Sequence, residues 1–418
     1  MSFICKKCNR SFKRNCDLKK HLKRKVPCDT DLSNIGKIID QKIEEKMINY
    51  RKEFEELMYQ KMEELKKFIS PQINNNYEIE DIDEEDETID SQFTFIEVCA
   101  GGGGLSSGFI KAGFKPLLLN DMVQSCCDTL EKNHPNTNII CDSLLNLDLT
   151  EYKHKVDVLM GGVPCQSFSH AGSRKGLDDE RGDLIIKFKD LIDTVEPKIF
   201  LIENVAGLKS HNKGDTLKKV IENLSSCGKY DIKYEILNSV EYNVPQKRKR
   251  MIIIGVLKSL KKEYQWPKKC EKQLVLRDVL LDVPESEGSQ YADSKKKVLD
   301  LVPQGGCWVN LPEDIQKEYM GKSYFSGGGK RGIARRLSMD EPSLTIMCTP
   351  QQKQTERCHP TETRPFTIRE SARIQTFPDD YIFCGSVSQQ YKQIGNAVPV
   401  EFARHIALSV KNILENNE

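Results

Sequence analysis

A cysteine set behind a proline in GGVPCQSFSHAG (Pro164, Cys165), a carboxylate in IENV (Glu203) and fixed cations in QKRKR (Arg248, Arg250) are the residue types from which covalent catalysis is assembled. Each stands beside the end of a short apolar run. Proline fixes the turn, and a thiolate is a strong nucleophile when a base or cation helps to form it. Taken alone, a cysteine such as Cys165 reads first as a buried inert thiol; the carboxylate at the end of another apolar run and the cations just before the next reverse that reading in favour of the nucleophile. Upstream, FIEVCAGGGGLSSGF places glycines directly after an apolar run. Such a turn either lets the backbone approach a nucleotide-like ligand or merely tightens a strand–helix junction. Asp121 closes the second apolar run, where an acid commonly accepts from ribose hydroxyls, and Asp142 follows the third, IICD. Three such ends facing one crevice describe an adenosine site. No Gly-x-x-x-x-Gly-Lys-Ser/Thr loop occurs, which favours a ligand without a triphosphate.

The elements that position these residues follow from periodicity. FTFIEV, KPLLLN, VDVLMGG, KIFLIENV and MIIIGV are short β-rich runs, separated by helical spacing such as residues 184–192 and 216–224. Alternating strand and helix predicts an α/β fold with a mostly parallel sheet covered on both faces and ligands at the carboxyl ends of its strands. Residues 93–256 form this catalytic body. Between 257 and 380 the alternation fades into Lys-, Gly- and Pro-rich sequence, read as an inserted second domain, and 381–418 return to the first.

The 63 basic side chains nearly balance 62 acidic ones, but residues 1–30 hold ten Lys or Arg against two Asp. This basic segment suits a polyanion. Within it Cys5-x2-Cys8 precedes His21 by twelve residues, with Phe12 and Leu18 between, the pattern of a small ββα unit around a structural zinc ion. It resembles a zinc finger of the two-Cys, His, Cys type, with Cys28 as fourth ligand after a gap of six residues, longer than usual. Residues 36–69 carry apolar side chains three or four apart, predicting a helix roughly 50 Å long. Its stripe either pairs with a second copy of the chain as a coiled coil or docks on the main body. Residues 70–92 read as a solvated linker, since nine of the thirteen residues 78–90 are acidic. Fifteen cysteines, an odd number, with no apolar signal core and no run long enough for a membrane helix predict a soluble intracellular protein, cytoplasmic or nuclear, with mostly reduced thiols.

The ordered blocks CAGGGG, PCQSFS, ENV, QKRKR, RESARIQTFPDDY and QIGNAVP resemble the DNA cytosine carbon-5 methyltransferase family over residues 93–418. The resemblance implies a large domain of Rossmann-like type that binds S-adenosylmethionine, a smaller target-recognition domain, and double-stranded DNA between them. It makes Cys165 the nucleophile at cytosine carbon-6, Glu203 the group at ring nitrogen-3, Asn204 a brace for the Cys165 loop, and Arg248, then Arg250, contacts to the base carbonyl. The base must leave the stack, because carbon-6 is approached from the ring face. Cofactor contacts carried over are Gly101, Gly103, Gly104, Asp121, Asp142, Pro164, Leu184, Asn396 and Val398. Cys99 stands where many members have Phe, and Met122 where an aromatic is frequent; both departures bear on cofactor affinity. A loop at 167–181 would close on DNA, with Ser169 and Arg181 as backbone contacts. In GGGKRGIARR, residues 327–336, Lys330, Arg331, Arg335 and Arg336 are the DNA-contact candidates. The implied activity is that of the modifying half of a restriction system or of a self-marking viral enzyme. A transfer-RNA methyltransferase, whose CFT signature is missing, and a catalytically silent nucleic-acid module are the other readings.

Overall fold

The computed structural model describes residues 3–5, 11–23, 93–163, 180–325 and 332–415, in two units, Met1–Asp86 and Glu87–Glu418. The described part of the first is an antiparallel hairpin, β1 (Phe3–Ile4) and β2 (Ser11–Phe12), followed by α1 (Asn15–Leu22). Cys5 follows β1 at 1% exposure, and His21 in the last turn of α1 is 8% exposed. No other side chain described in this unit is buried. Cys8, Cys28, the apolar stripe of 36–69 and the linker 70–92 lie outside the described residues.

The second unit opens with β3 (Phe93–Val98), α2 (Gly104–Lys111), β4 (Phe114–Asp121), α3 (Gln124–Asn133), β5 (Asn138–Cys141) and β6 (Val158–Gly161). Then come α4 (Glu180–Val195), β7 (Ile199–Val205), α5 (Asp215–Ser225), β8 (Tyr230–Asn238), β9 (Gln246–Lys247) and β10 (Lys249–Leu257). The remainder holds α6 (Asp293–Asp300), α7 (Glu313–Met320), β11 (Ser343–Leu344), α8 (Ile368–Ile374), α9 (Val387–Asn396) and α10 (Val400–Glu415).

One seven-stranded sheet organises the unit, in the order β5-β4-β3-β6-β7-β10-β8. The first five of these strands are parallel, and β10 runs antiparallel to both β7 and β8. The sheet is therefore mixed rather than simply parallel. Every residue of β6 is buried, as expected of a strand covered on both faces. One face packs Phe95, Leu119, Met160 and Leu201 against Phe109 of α2 and Phe402, Ile406 and Val410 of α10. The other packs Ile96, Leu159, Phe200 and Ile253 against Ile185 and Phe188 of α4 and Val220 of α5. The five apolar runs read from the sequence are all strands. β8 was not among them; its alternation of Tyr230, Ile232, Tyr234 and Ile236 with charged residues is the signal that marks it. Tyr264 still belongs to the core of the large sheet, so the main body continues past residue 256. A separate cluster, Tyr291, Leu299, Val302, Leu311, Met320, Ile333, Ala334 and Cys358, lies within the segment read as inserted. Within the same segment Arg364 grips Glu370 of α8 through two bonds of 2.7 Å.

The register of β10 on β7 sets Gly255 opposite Phe200, where a β-carbon would stand 2.1 Å from the Phe200 ring. Phe200 is fully buried and cannot yield. Gly255→Ala is expected to lower unfolding free energy by about 1–3 kcal/mol through overpacking, read as a lower midpoint in urea denaturation; an unshifted midpoint would contradict this register.

Candidate functional site

A cavity of about 530 Å3 opens at the carboxyl ends of β3, β4, β6 and β7, closed on one side by α9. Its walls include Cys99, Gly101, Gly104, Asp121, Met122, Leu184, Glu203, Asn204, Asn396 and Val398, so ten residues singled out by the sequence meet there. Gly103 and Asp142 are not part of the wall. Gly103 takes φ 77° as α2 begins, and a side chain there would collide with the Tyr381 hydroxyl, which donates to the Gly102 carbonyl at 2.9 Å. The Asp142 carboxylate accepts from Ser143 N and Asn146 Nδ2, capping the next turn.

The glycine turn is held by Asp121. Its Oδ2 accepts from Gly101 N at 2.8 Å and its Oδ1 from Val123 N at 2.9 Å. Gly101 has φ 57° and nothing within 4 Å of where a β-carbon would project, so the backbone is bare toward the cavity. At Gly104 a β-carbon would stand 2.2 Å from the Val398 carbonyl oxygen, which forces glycine where α2 meets the loop after α9. Met122 is 71% exposed and forms the rim. Burial pushes the Cys99 thiol up to about 12, so it is neutral.

Sequence reading missed Glu97, Asn120, Gln393 and Lys392, which also line the cavity. Glu97 is 2% exposed, and its Oε2 is buried without a hydrogen-bond partner. Burial raises its pKa to about 8, against hydrogen bonds from Ser106 that lower it. An acid within an apolar run immediately before a glycine turn was the available signal. With Asp121 and Glu203 it gives the cavity three carboxyl groups.

Glu203 lies two residues before the end of β7, at 9% exposure. Arg250 Nε lies 2.7 Å from its Oε1. Burial raises the Glu203 pKa, and Arg250, then Arg248, pull it back. Asn204 Nδ2 donates to the Val163 carbonyl at 2.8 Å, two residues before Cys165. The two arginines read from the sequence differ in setting: Arg250 pairs with Glu203, whereas Arg248 lies deeper. Arg248 is 1% exposed, its Nη2 donates to the Asn396 carbonyl at 3.0 Å, and its Nε and Nη1 are buried without partners. Burial first, then Arg250, lowers it to about 9, leaving it charged at neutral pH. Pro164, Cys165, Ser169, Lys330 and Arg331 lie outside the described residues, as does the Arg181 side chain in the first turn of α4.

Arg336, read from the sequence as a groove contact, belongs to the interior. It is 6% exposed, and its guanidinium donates to the carbonyls of Leu299, Val302, His359 and Glu362 and to Thr363 Oγ1. No donor remains to meet DNA. Among the described residues no group of three metal-ligating side chains forms, and no helix is long and apolar enough to cross a membrane.

A family model described as C-5 cytosine-specific DNA methylase matches residues 93–412. Type II methyltransferase M.Eco47II of Escherichia coli is 45% identical over 389 residues, spanning 91% of this chain and 90% of its own length. That span exceeds what residues 93–418 can supply, so the likeness reaches into the segment before β3. Type II methyltransferase M.PspPI of Psychrobacter sp. (strain TA137) is 50% identical over 331 residues, 77% of this chain and 80% of its own. Among solved structures, a protein assigned as a DNA modification methyltransferase encoded within an E. coli prophage superposes with a TM-score of 0.58 at 25% identity, over 78% of this chain and 100% of its own.

A carboxyl group with a folded pKa near 8 and an ordinary value of 4.5 favours the folded state below pH 4.5, and that advantage is lost as pH rises toward 8. Each unit between the two values is worth about 1.4 kcal/mol. Glu97→Gln is therefore expected to remove a fall in unfolding free energy between pH 5 and pH 8, seen by urea denaturation of both proteins at both pH values. Equal slopes would mean that Glu97 is not held protonated.

Proposed function

Because the chain belongs to the C-5 cytosine-specific DNA methylase family, we propose that it methylates carbon-5 of cytosine within a specific duplex DNA sequence through a transient bond from Cys165 to an extruded base. The observation that carries this is the Glu203–Arg250 pair at the end of β7, beside the strand that leads into Cys165. The cavity suits S-adenosylmethionine, whose sulfonium and amino groups are cationic: three carboxyl groups line it, one with an orphaned oxygen, and the glycine turn is bare. When bound, that cofactor supplies the methyl group. Asp121 would hold the ribose, Leu184 and Val398 would flank the adenine end, and Glu97 and Asn396 would face the methionine end.

The chain's own residues do the rest. The Cys165 thiolate adds to carbon-6, and the ring electron pair so displaced is balanced by a proton passed from Glu203 to nitrogen-3. A raised pKa keeps that proton available, and Arg250 is placed to steady both the Glu203 anion and the base carbonyl. Carbon-5 is now nucleophilic. After it has gained the methyl group its hydrogen leaves as a proton to water, the sulfur–carbon bond breaks to return the thiolate, and nitrogen-3 gives its proton back to Glu203. Arg248 and Asn204 act as positioning residues, the first beneath Asn396 and the second on the backbone before Cys165. Residues 257–380 would supply DNA recognition, with Ser169, Arg181, Lys330, Arg331 and Arg335 against the backbone or groove. The relatives named above are Type II methyltransferases, which favours DNA over transfer RNA and the modifying half of a restriction system.

In the first unit, buried Cys5 and His21 at the joint of hairpin and helix support a structural zinc ion completed by Cys8 and Cys28. Residues 36–69 would pair two copies, giving two basic modules on one DNA.

Cys165→Ser is expected to lose methyl transfer at least a thousandfold while still binding S-adenosylmethionine in a filter assay. Wild type should form a detergent-stable complex with duplex carrying 5-fluorocytosine at its site, because fluorine cannot leave carbon-5 as a cation. Normal turnover by the variant, or no stable complex, would reject the covalent route. His21→Ala is expected to lose the bound zinc, one ion per wild-type chain by elemental analysis, while methylation of concentrated short duplex stays within about twofold of wild type. A wild-type protein purified without chelator and free of zinc would dispose of the finger.

A further inference from the structure

Two arginines of the second unit, Arg335 and Arg357, stand together without a carboxylate partner among the described residues. The segments 335–337 and 357–358 run side by side through an Arg336–Cys358 bridge, with Cys358 N donating to the Arg335 carbonyl at 3.0 Å and Leu337 N to the Cys358 carbonyl at 3.1 Å. Extended backbone alternates its side chains. Arg336 and Cys358 point inward, at 6% and 0% exposure, and Arg335 and Arg357 stand half-buried together on the opposite side. Arg357 Nε donates to the Thr345 carbonyl at 3.2 Å and Nη1 to its neighbour's carbonyl at 2.7 Å. The Arg335 guanidinium has no hydrogen bond or ion pair among the described residues, and its Nε is shut away from solvent.

Among the described residues no carboxylate serves either cation. Glu356, adjacent in sequence, is committed to Lys295, the Ala334 amide and the Tyr319 hydroxyl. Nearby arginines fare differently: Arg364 holds Glu362 and Glu370, and Arg373 holds Asp379. Burial and then the charge of Arg335 lower Arg357 to about 10, so the two guanidiniums oppose each other at neutral pH. The pair is also tied to the catalytic strands, since Thr345 Oγ1 donates to the carbonyl of Lys247, the residue before Arg248, and Ile346 N donates to Gln246 Oε1.

We infer that Arg335 and Arg357 together form a binding site for one backbone phosphate of the DNA substrate, an inference that rests on the duplex-DNA reading above. A guanine edge offers neutral acceptors and would leave the two like charges uncompensated. A phosphodiester brings a full negative charge and two free oxygens, one for each guanidinium. Bound there, it clamps the recognition segment to β9, which leads directly into Arg248, so substrate binding and the catalytic rim share one anchor.

The test uses the full chain and labelled duplexes, one carrying the methylated site identified by bisulfite sequencing and one scrambled, with Kd measured over a range of salt concentrations. Arg335→Ala is expected to weaken both duplexes by a similar factor, on the order of tenfold at low salt, and to reduce the slope of log Kd against log salt by about one; Arg335→Lys should keep that slope. Arg357→Ala should do the same, and if it fails to fold, Arg335→Ala decides, since the Arg335 guanidinium has no hydrogen bond or ion pair among the described residues to lose. An unchanged slope, or a loss confined to the methylated-site duplex, overturns the phosphate site. Methyl transfer to DNA by the wild type, measured in parallel, separates that outcome from failure of the methyltransferase reading.

Discussion

The carboxyl group of Glu203 is withdrawn from water with one cation 2.7 Å away, and this pair exists only because β10 runs against its neighbours. In the parallel part of the sheet, residues that precede a strand lie at the edge away from the ligand crevice. QKRKR precedes β10 in sequence. Reversal of β10 carries its beginning to the rim where β7 ends, with Ile252 beside Glu203 and Arg250 beside Val205. The two opposing influences on Glu203, burial that retains the proton and Arg250 that draws it off, are thus both set by strand direction. A buried carboxyl without a cation would stay neutral and a paired one in water would stay ionised; a group that must exchange its proton during a reaction needs both influences together.

Much of this could be read from the amino-acid sequence, for definable reasons. VLMG, IFLIENV and MIIIGV are strands because β-branched and large apolar side chains cluster without helical period, and Asp121 and Glu203 stood out as acids where such runs stop. The direction of β10 left no such trace, since antiparallel and parallel central strands are equally apolar. β8 escaped because it is an edge strand whose Lys233 and Glu235 break the apolar run. Glu97 escaped because an acid inside FIEV reads as a strand residue turned to solvent, whereas here both faces are covered. In GGGKRGIARR the sequence offers one basic patch. Two-residue alternation divides it, sending Arg336 to a cage of carbonyl oxygens and leaving Arg335 uncompensated.

The cavity is costly to the fold in a localised way. Within five residues it holds a buried acid with an orphaned oxygen at Glu97, a non-glycine residue with φ 53° at Cys99, and Gly101 with φ 57°. A left-handed side-chain-bearing residue and an unpaired buried acid each destabilise the native state. They are tolerated because the same strand is among the most deeply packed: Phe95, Ile96 and Val98 have no exposure at all. Each fully buried side chain of that size contributes about 1.5–3 kcal/mol, enough to hold β3 in register through a strained exit. Asp121 then fixes the turn from the neighbouring strand with two backbone amides. A softer scaffold would relax by turning Glu97 to water and opening the glycine turn. The rigid strand pair prevents that, so the carboxyl-lined cavity is already formed before any cationic ligand arrives, and the ligand's charge offsets a cost that folding has left standing.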